Sequence, residues 1–261
     1  MNRRISAFLA ALLITGLQVF AVTAGELEES TRAHGGIEQF RGYGTLEYDF
    51  NWSTEMGEFK DHQLIDLNSR KILITSDKYN IGFDGKEGWI APGADAMPLP
   101  ARFYSSTPFY FFGLPFLFSD PGVNAESLGT KELDGKEYEV VKITYDKGVG
   151  DTPDDNYMAY IDKETNRLRL VNYIVTYSPF TEGKPIEELD RHAIVYDEWQ
   201  ETGGLLVPQK ITSYDWKDGK LDGEPRSVMT FENVTFTKES PDVSIFSKPG
   251  GAEIDNSLKA Q

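Results

Sequence analysis

Four tight-turn pairs divide the middle and end of this chain: Asp84-Gly85, Asp134-Gly135, Gly203-Gly204 and Asp218-Gly219. Each stands between stretches rich in β-branched and aromatic residues. A two-residue hairpin turn needs positive φ at its centre, which Gly adopts freely and Asp tolerates. Such turns join strands that run antiparallel, because a parallel pair needs a long crossover. "KILITSDKYNIGFDGKEGWIA" reads as strands over 71–75, 78–83 and 88–91. "NYMAYIDKETNRLRLVNYIVTY" reads as two strands about residues 163–166, and "HAIVYDEWQETGGLLVPQKITSYDW" as two more about residues 202–204. The pattern predicts about ten strands in an antiparallel meander. The turns recur without a fixed period, which excludes a propeller or solenoid.

Alternation within the strands suggests what covers the sheet. In "LRLVNYIVTY", period two puts Leu168, Leu170 and Ile174 on one face and Arg169, Val171, Tyr173, Val175 and Tyr177 on the other. In "RSVMTFENVTF" it puts Val228, Val234 and Phe236 together, opposite Met229 and Phe231. Both faces are rich in apolar groups, whereas a sheet with one wet face is polar on that side. A curved sheet wrapped around helices meets this requirement. "ELEESTRAHGGIEQF" supplies one helix, predicted over residues 27–34, with Gly35 or Gly36 as its stop and Arg32 and His34 at its negative end.

The chain begins "MNRRISAFLAALLITGLQVFAVTAG". Two arginines, an apolar stretch and small residues before position 25 form a secretory signal peptide, with cleavage expected after Ala24. An N-terminal anchor helix is the rival, but the apolar stretch is short for a span. Residues 25–261 would then form one domain in a periplasmic or secreted location. There is no Cys, so neither a disulfide nor a lipid-modified cysteine is available. Net charge is −16, and removal of residues 1–24 takes away two arginines and no acid, leaving −18. That charge repels nucleic acid and anionic lipid headgroups.

"FYSSTPFYFFGLPFLFSDPG", residues 103–122, holds six Phe and two Tyr in twenty residues. Pro108, Gly113 and Pro115 interrupt it, so it is no membrane span. It predicts short helical turns separated by the two prolines, with Ser106 or Thr107 capping a turn that opens at Pro108. Burying each Phe stabilises by about 1.5–3 kcal/mol, so the run must be covered, and the concave face of the sheet is the available cover. There it either fills the core or lines an apolar cavity.

Signatures of chemistry are sparse. No nucleophile elbow, phosphate loop, dinucleotide fingerprint or His-Glu-x-x-His motif occurs. His34, His62 and His192 are far apart in sequence. Asp151, Asp154 and Asp155 share a Gly- and Pro-punctuated loop that could suit calcium, but without the spacing of a calcium-binding loop they read as a solvated acidic turn. No catalytic residue, metal or cofactor is therefore assigned, and no catalysis is expected. A hydrolase using Asp151, Asp154 or His192 is the enzymatic rival.

Several long segments carry a resemblance: "DKYNIGFDGKEGWIAP" at 77–92, "RFY…FYFFGLPFLFSDPGVN" at 102–124, "VGDTPDDNYMAYIDKETNRL" at 149–168 and "TFENVTFTKESPDVSIFSKP" at 230–249. With these the chain resembles an exported bacterial family of unknown function, related in fold to the LolA/LolB-like lipoprotein carriers. The resemblance implies a mainly β (α+β) fold: one strongly curved antiparallel sheet of about eleven strands, an unclosed half-barrel wrapped around short helices. In the carriers the concave side holds acyl chains. The expected ligand is accordingly a lipid or lipoprotein acyl chain, with Trp89, Tyr104, Phe109, Phe111, Phe112 and Phe116 as its lining. The alternative is a structural or interaction protein of the cell envelope, with a packed core and a protein partner.

Overall fold

The computed structural model describes residues 25–258; the signal-peptide expectation for residues 1–24 lies outside them. Helices α1 (Gly25–Ala33) and α2 (Ile37–Arg41) open the fold, α3 (Ala101–Gly113) follows the first five strands, and α4 (Ser178–Thr181) is a single turn. The strands are β1 (Thr45–Thr54), β2 (Gly57–Asp66), β3 (Ile72–Thr75), β4 (Asn80–Phe83), β5 (Gly88–Ala91), β6 (Val123–Leu133) and β7 (Lys136–Tyr145). They continue as β8 (Tyr157–Asp162), β9 (Leu168–Ile174), β10 (Arg191–Thr202), β11 (Leu205–Lys217), β12 (Lys220–Thr237) and β13 (Glu253–Ile254). Among the described residues these form one antiparallel sheet in the order β13-β5-β4-β3-β2-β1-β12-β11-β10-β9-β8-β7-β6. It is mostly β, and it does not close into a barrel. Thirteen strands exceed the ten or eleven expected, since the sequence reading places no strand at β1, β2 or the two-residue β13.

The turn residues behave as their chemistry requires. Asp134 and Gly135 have φ of 51° and 76°, Gly203 and Gly204 56° and 73°, and Asp218 and Gly219 50° and 81°. Two successive positive φ values match the twist of the flanking strands. Asp84 works differently: its Oδ1 accepts from the backbone N–H groups of Lys86 and Glu87, both at 2.8 Å, folding a longer loop between β4 and β5.

Cross-strand rows separate the two faces of the sheet. Val141, Ala159, Val171 and Ile194 pair in sequence across β7 to β10 and join the large concave core. Their chain neighbours Val140, Tyr160, Leu170 and Val195 pair likewise and form a smaller cluster on the opposite face.

Two bulges correct the predicted faces. Between Tyr160↔Leu170 and Ile161↔Leu168 one residue of β9, Arg169, is left over. Leu168 consequently joins the concave core while Leu170 joins the outer cluster, although simple alternation puts them together. The register of β12 against β1 also shifts, between Glu47↔Thr235 and Asp49↔Glu232. Asn233 takes φ 52° there, and its side chain donates to Asp49 Oδ2 at 2.7 Å. Past it Val234 and Phe236 turn to the same core as Met229 and Phe231.

Helix α1 ends as predicted, but His34 has another role. Its ring is buried: Nδ1 donates to the Leu206 carbonyl (2.9 Å), and Nε2 accepts from the Leu168 N–H (3.2 Å). Burial lowers its pKa to about 4. A neutral imidazole thus ties the helix end to β9 and β11, where the sequence suggests a charge–dipole contact.

Candidate binding cavity

The aromatic run is one helix rather than separated turns. Pro108 lies inside α3, and only after Leu114 and Pro115 does a short 3₁₀ turn, Phe116–Ser119, begin. Ser106 and Thr107 do not cap: Thr107 Oγ1 donates back to the Phe103 carbonyl (2.8 Å), and Ser106 Oγ reaches the Arg102 and Phe103 carbonyls (3.3 Å each). Hydroxyls satisfied within their own helix can lie beside apolar surface. Among the described residues no helix is long and apolar enough to cross a membrane.

Helical spacing splits the run into two faces. Ala101, Tyr104, Ser105, Pro108 and Phe112 recur at i, i+3, i+4, i+7 and i+11 and are buried. Phe112 has its ring 5.0 Å from those of Tyr48 and Phe231. Tyr104 packs on Trp52 and Phe59 at ring distances of 6.0 and 5.8 Å. Its hydroxyl donates to Asp61 Oδ2 (2.5 Å), which also accepts from Tyr79 (2.8 Å), while Gln63 donates to Asp61 Oδ1 (2.9 Å). Burial pushes the Asp61 carboxyl up, against these three donors.

On the other side of α3, Arg102, Phe103, Ser106, Phe109 and Tyr110 line a cavity of about 400 Å³. That volume falls within the range of small-molecule sites. The facing wall is largely phenolic: Tyr145, Tyr157, Tyr173 and Tyr177 come from β7, β8, β9 and the loop after β9. Burial raises all four phenol pKa values and that of Tyr110, so this wall is uncharged. Tyr110 and Tyr145 share a hydroxyl–hydroxyl hydrogen bond.

The charged groups on the cavity are mostly matched. Arg102 lies 3.6 Å over the Phe83 ring and binds Asp151 Oδ2 at 2.8 Å. Asp155 accepts from the Thr176 N–H and hydroxyl (2.8 and 2.6 Å) and from Thr152 Oγ1 (2.8 Å). Burial pushes its carboxyl up. The 151–155 loop is therefore not a solvated acidic turn: two of its three carboxylates are built into the cavity wall. Arg70 Nη2 reaches both oxygens of Asp120 (3.1 and 2.9 Å).

Of the six residues expected to line a site, Phe109 and Phe111 stand on this cavity. Tyr104 and Phe112 fill the core as described. Phe116 stacks on Phe40 at 4.6 Å, beside His34. Trp89 lies on the other face of the sheet. Ile81 and Ile90 pair inward, so the adjacent pair Gly82 and Trp89 points outward. The Trp89 Nε1–H donates to the Phe246 carbonyl (2.8 Å), under the C-terminal segment. The sequence reading missed Arg70, Arg102, Asp120 and the tyrosine wall, which come from α3 and from separate strands and loops and share no local motif. The hydrolase candidates do not assemble: His192 Nδ1 is 3.2 Å from Asp215, and Asp151 is held by Arg102. Among the described residues no group of three His, Cys, Asp or Glu side chains converges as a metal site.

Comparison with known proteins adds a family match and a fold. Residues 96–192, which include α3 and much of the cavity wall, match a family of unknown function, DUF6503. No curated protein matches the chain. A LolA superfamily protein from Nitrosomonas europaea is 16% identical over 87% of this chain and 99% of its own, with a TM-score of 0.53. A DUF1329 family protein from Desulfovibrio piger is 9% identical over 85% and 98%, with a TM-score of 0.49. A putative outer membrane lipoprotein-sorting protein domain from Vibrio parahaemolyticus is 11% identical over 81% and 91%, with a TM-score of 0.44. At these identities the likeness is one of fold, and the first structure carries it. The chain thus has a LolA-like fold, and its residues 96–192 match the DUF6503 family.

Proposed function

We propose that this is an exported binding or carrier protein for a hydrophobic ligand, a lipid or the acyl chain of a lipoprotein, held beside α3. The observation that carries the reading is the division of the aromatic run. One face of α3 is spent on the core, while Phe103, Phe109 and Tyr110 stand on a cavity of about 400 Å³. A site with apolar and aromatic walls and a few placed polar groups suits an amphiphile. The LolA-like fold and the signal-peptide pattern at residues 1–24 are consistent with a carrier outside the cytoplasm. A role through the outer surface alone would leave this cavity without a use.

Native mass spectrometry of protein purified from its producing cells, followed by lipid extraction, tests the reading. A copurifying acyl-chain compound supports it. Protein that is ligand-free and also fails to bind an apolar dye overturns it.

A further inference from the structure

Among the described residues, four buried side-chain polar atoms have no protein partner: Ser30 Oγ, Asn51 Oδ1, Trp52 Nε1 and Arg70 Nη1. Trp52 and Arg70 line the cavity, whereas Ser30 and Asn51 do not. Both unmatched atoms on the wall are donors. A buried donor left unmatched costs about 1–3 kcal/mol, and more when it is charged. Each of these atoms is covered by its neighbours within the wall, and a ligand oxygen that draws either donor out of its cover relieves the deficit.

Arg70 is the stronger of the two donors and is held in place. It has φ 60° in the turn between β2 and β3, a left-handed conformation that long side chains seldom take. The other residues with positive φ are, Glu182 and the glycines apart, Asp or Asn, which tolerate it. Asp66 builds the turn: its carboxylate accepts from the Asn68 N–H and the Ser69 hydroxyl, and its carbonyl accepts from the Arg70 N–H. Backbone strain persists where the surroundings impose it, and here it presents a guanidinium to the cavity, 5.6 Å from the Phe109 ring centroid. Nη2 is engaged by Asp120, leaving Nη1. Arg41 adds a second positive charge, its Nη2 donating to the Ser119 carbonyl beside Asp120. Asp120 thus stands against two guanidinium groups in a chain of net charge −16. Arg102, by contrast, has its charge matched by Asp151.

We infer that the Arg70 guanidinium, turning Nη1 out of its cover, binds the polar end of the ligand, and that this end is an oxygen acceptor on an acyl chain: the carboxylate of a free fatty acid or the carbonyl of an acyl ester. The inference rests on the cavity reading above and narrows its ligand class.

The test displaces a neutral apolar dye from the delipidated full chain, using dodecanoate, methyl dodecanoate and dodecylammonium. These share a chain length but differ in offering a charged acceptor, a neutral acceptor and no acceptor. Dodecanoate and the ester are expected to displace the dye at roughly tenfold lower concentration than dodecylammonium, as one charge-assisted or neutral hydrogen bond permits. Their order separates a fatty acid from an ester as the natural source. Arg70→Met is expected to lose that advantage while still binding the dye, and Arg70→Lys to keep only part of it, because Lys keeps the charge but not the fork of donors. His34→Gln removes a buried imidazole that does not line the cavity, so it should retain the preference for dodecanoate. It therefore serves as the control for damage to the fold. Equal binding of dodecanoate and dodecylammonium by the unaltered protein overturns the inference. So does undiminished dodecanoate preference in Arg70→Met. A protein that takes up neither dye nor amphiphile overturns the cavity reading instead.

Discussion

Tyr104 Oη lies 2.5 Å from Asp61 Oδ2, joining the aromatic helix to strand β2 through a buried carboxylate. Tyr79 and Gln63 are the other side chains that donate to it, so the charge rests on three neutral groups. Tyr104→Phe keeps the ring and removes one donor. The expected cost is about 1–3 kcal/mol at pH 7, read from urea unfolding. Losing a donor raises the folded pKa of Asp61 further, so the variant gains more from protonation than the parent. Its deficit should shrink as pH falls below neutrality. A deficit that is constant with pH would show that Tyr104 acts by packing alone.

Filling and lining residues of α3 should respond differently to truncation. Phe112→Ala opens a hole among Tyr48, Phe231 and the helix and should cost about 3–5 kcal/mol. Phe109→Ala widens an existing cavity, so its cost should be smaller than that of Phe112→Ala, because part of its ring faces the cavity rather than packed atoms. Binding of an apolar dye should change in Phe109→Ala. Equal unfolding midpoints for the two variants would argue against the division of faces.

His34 gives the stability a pH dependence of known sign. Burial depresses its folded pKa to about 4, from about 6.5 in an unfolded chain. Its neutral form contributes fully above pH 6.5, and the contribution is lost as pH falls from 6.5 to about 4, by at most about 3 kcal/mol. His34→Gln should be less stable at pH 7 and should lose less on acidification over that window. The difference between parent and variant, measured by denaturant unfolding at several pH values, isolates this group from the buried carboxyls, which act in the opposite direction.

Gly82→Ala should damage the edge of the sheet. A Cβ there would run into the indole of Trp89, its cross-strand partner, which is itself only 3% exposed. Overpacking of this kind costs about 1–3 kcal/mol. Because Trp89 donates to Phe246, the C-terminal segment should loosen as well, detectable as faster amide exchange in residues 243–254. Unchanged exchange there would mean that the segment is held independently of Trp89.

Much of the architecture was legible in the chain because local chemistry encodes it. Asp134-Gly135, Gly203-Gly204 and Asp218-Gly219 adopt the positive φ values their residue types favour, so antiparallel pairing follows from sequence alone. The breaks at Pro115 and Gly113 exclude a long span, and the density of Phe requires cover. The two bulges were not legible. Arg169 and Asn233 shift the faces of β9 and β12, and nothing in an alternating pattern distinguishes a bulged residue from a paired one.

The sequence by itself determined an antiparallel meander of strands, an initial helix and an aromatic segment that has to be buried, since each follows from periodicity, turn conformation and transfer energy over a few neighbouring residues. Only the tertiary structure decided how the aromatics divide. Phe112 and Tyr104 meet β1, β2 and β12, whereas Phe109 meets a cavity beside Arg70, a residue contributed by a turn some forty positions earlier. Which side of a helix is covered depends on surfaces brought together from distant parts of the chain, and the residues of the helix do not record what lies opposite them.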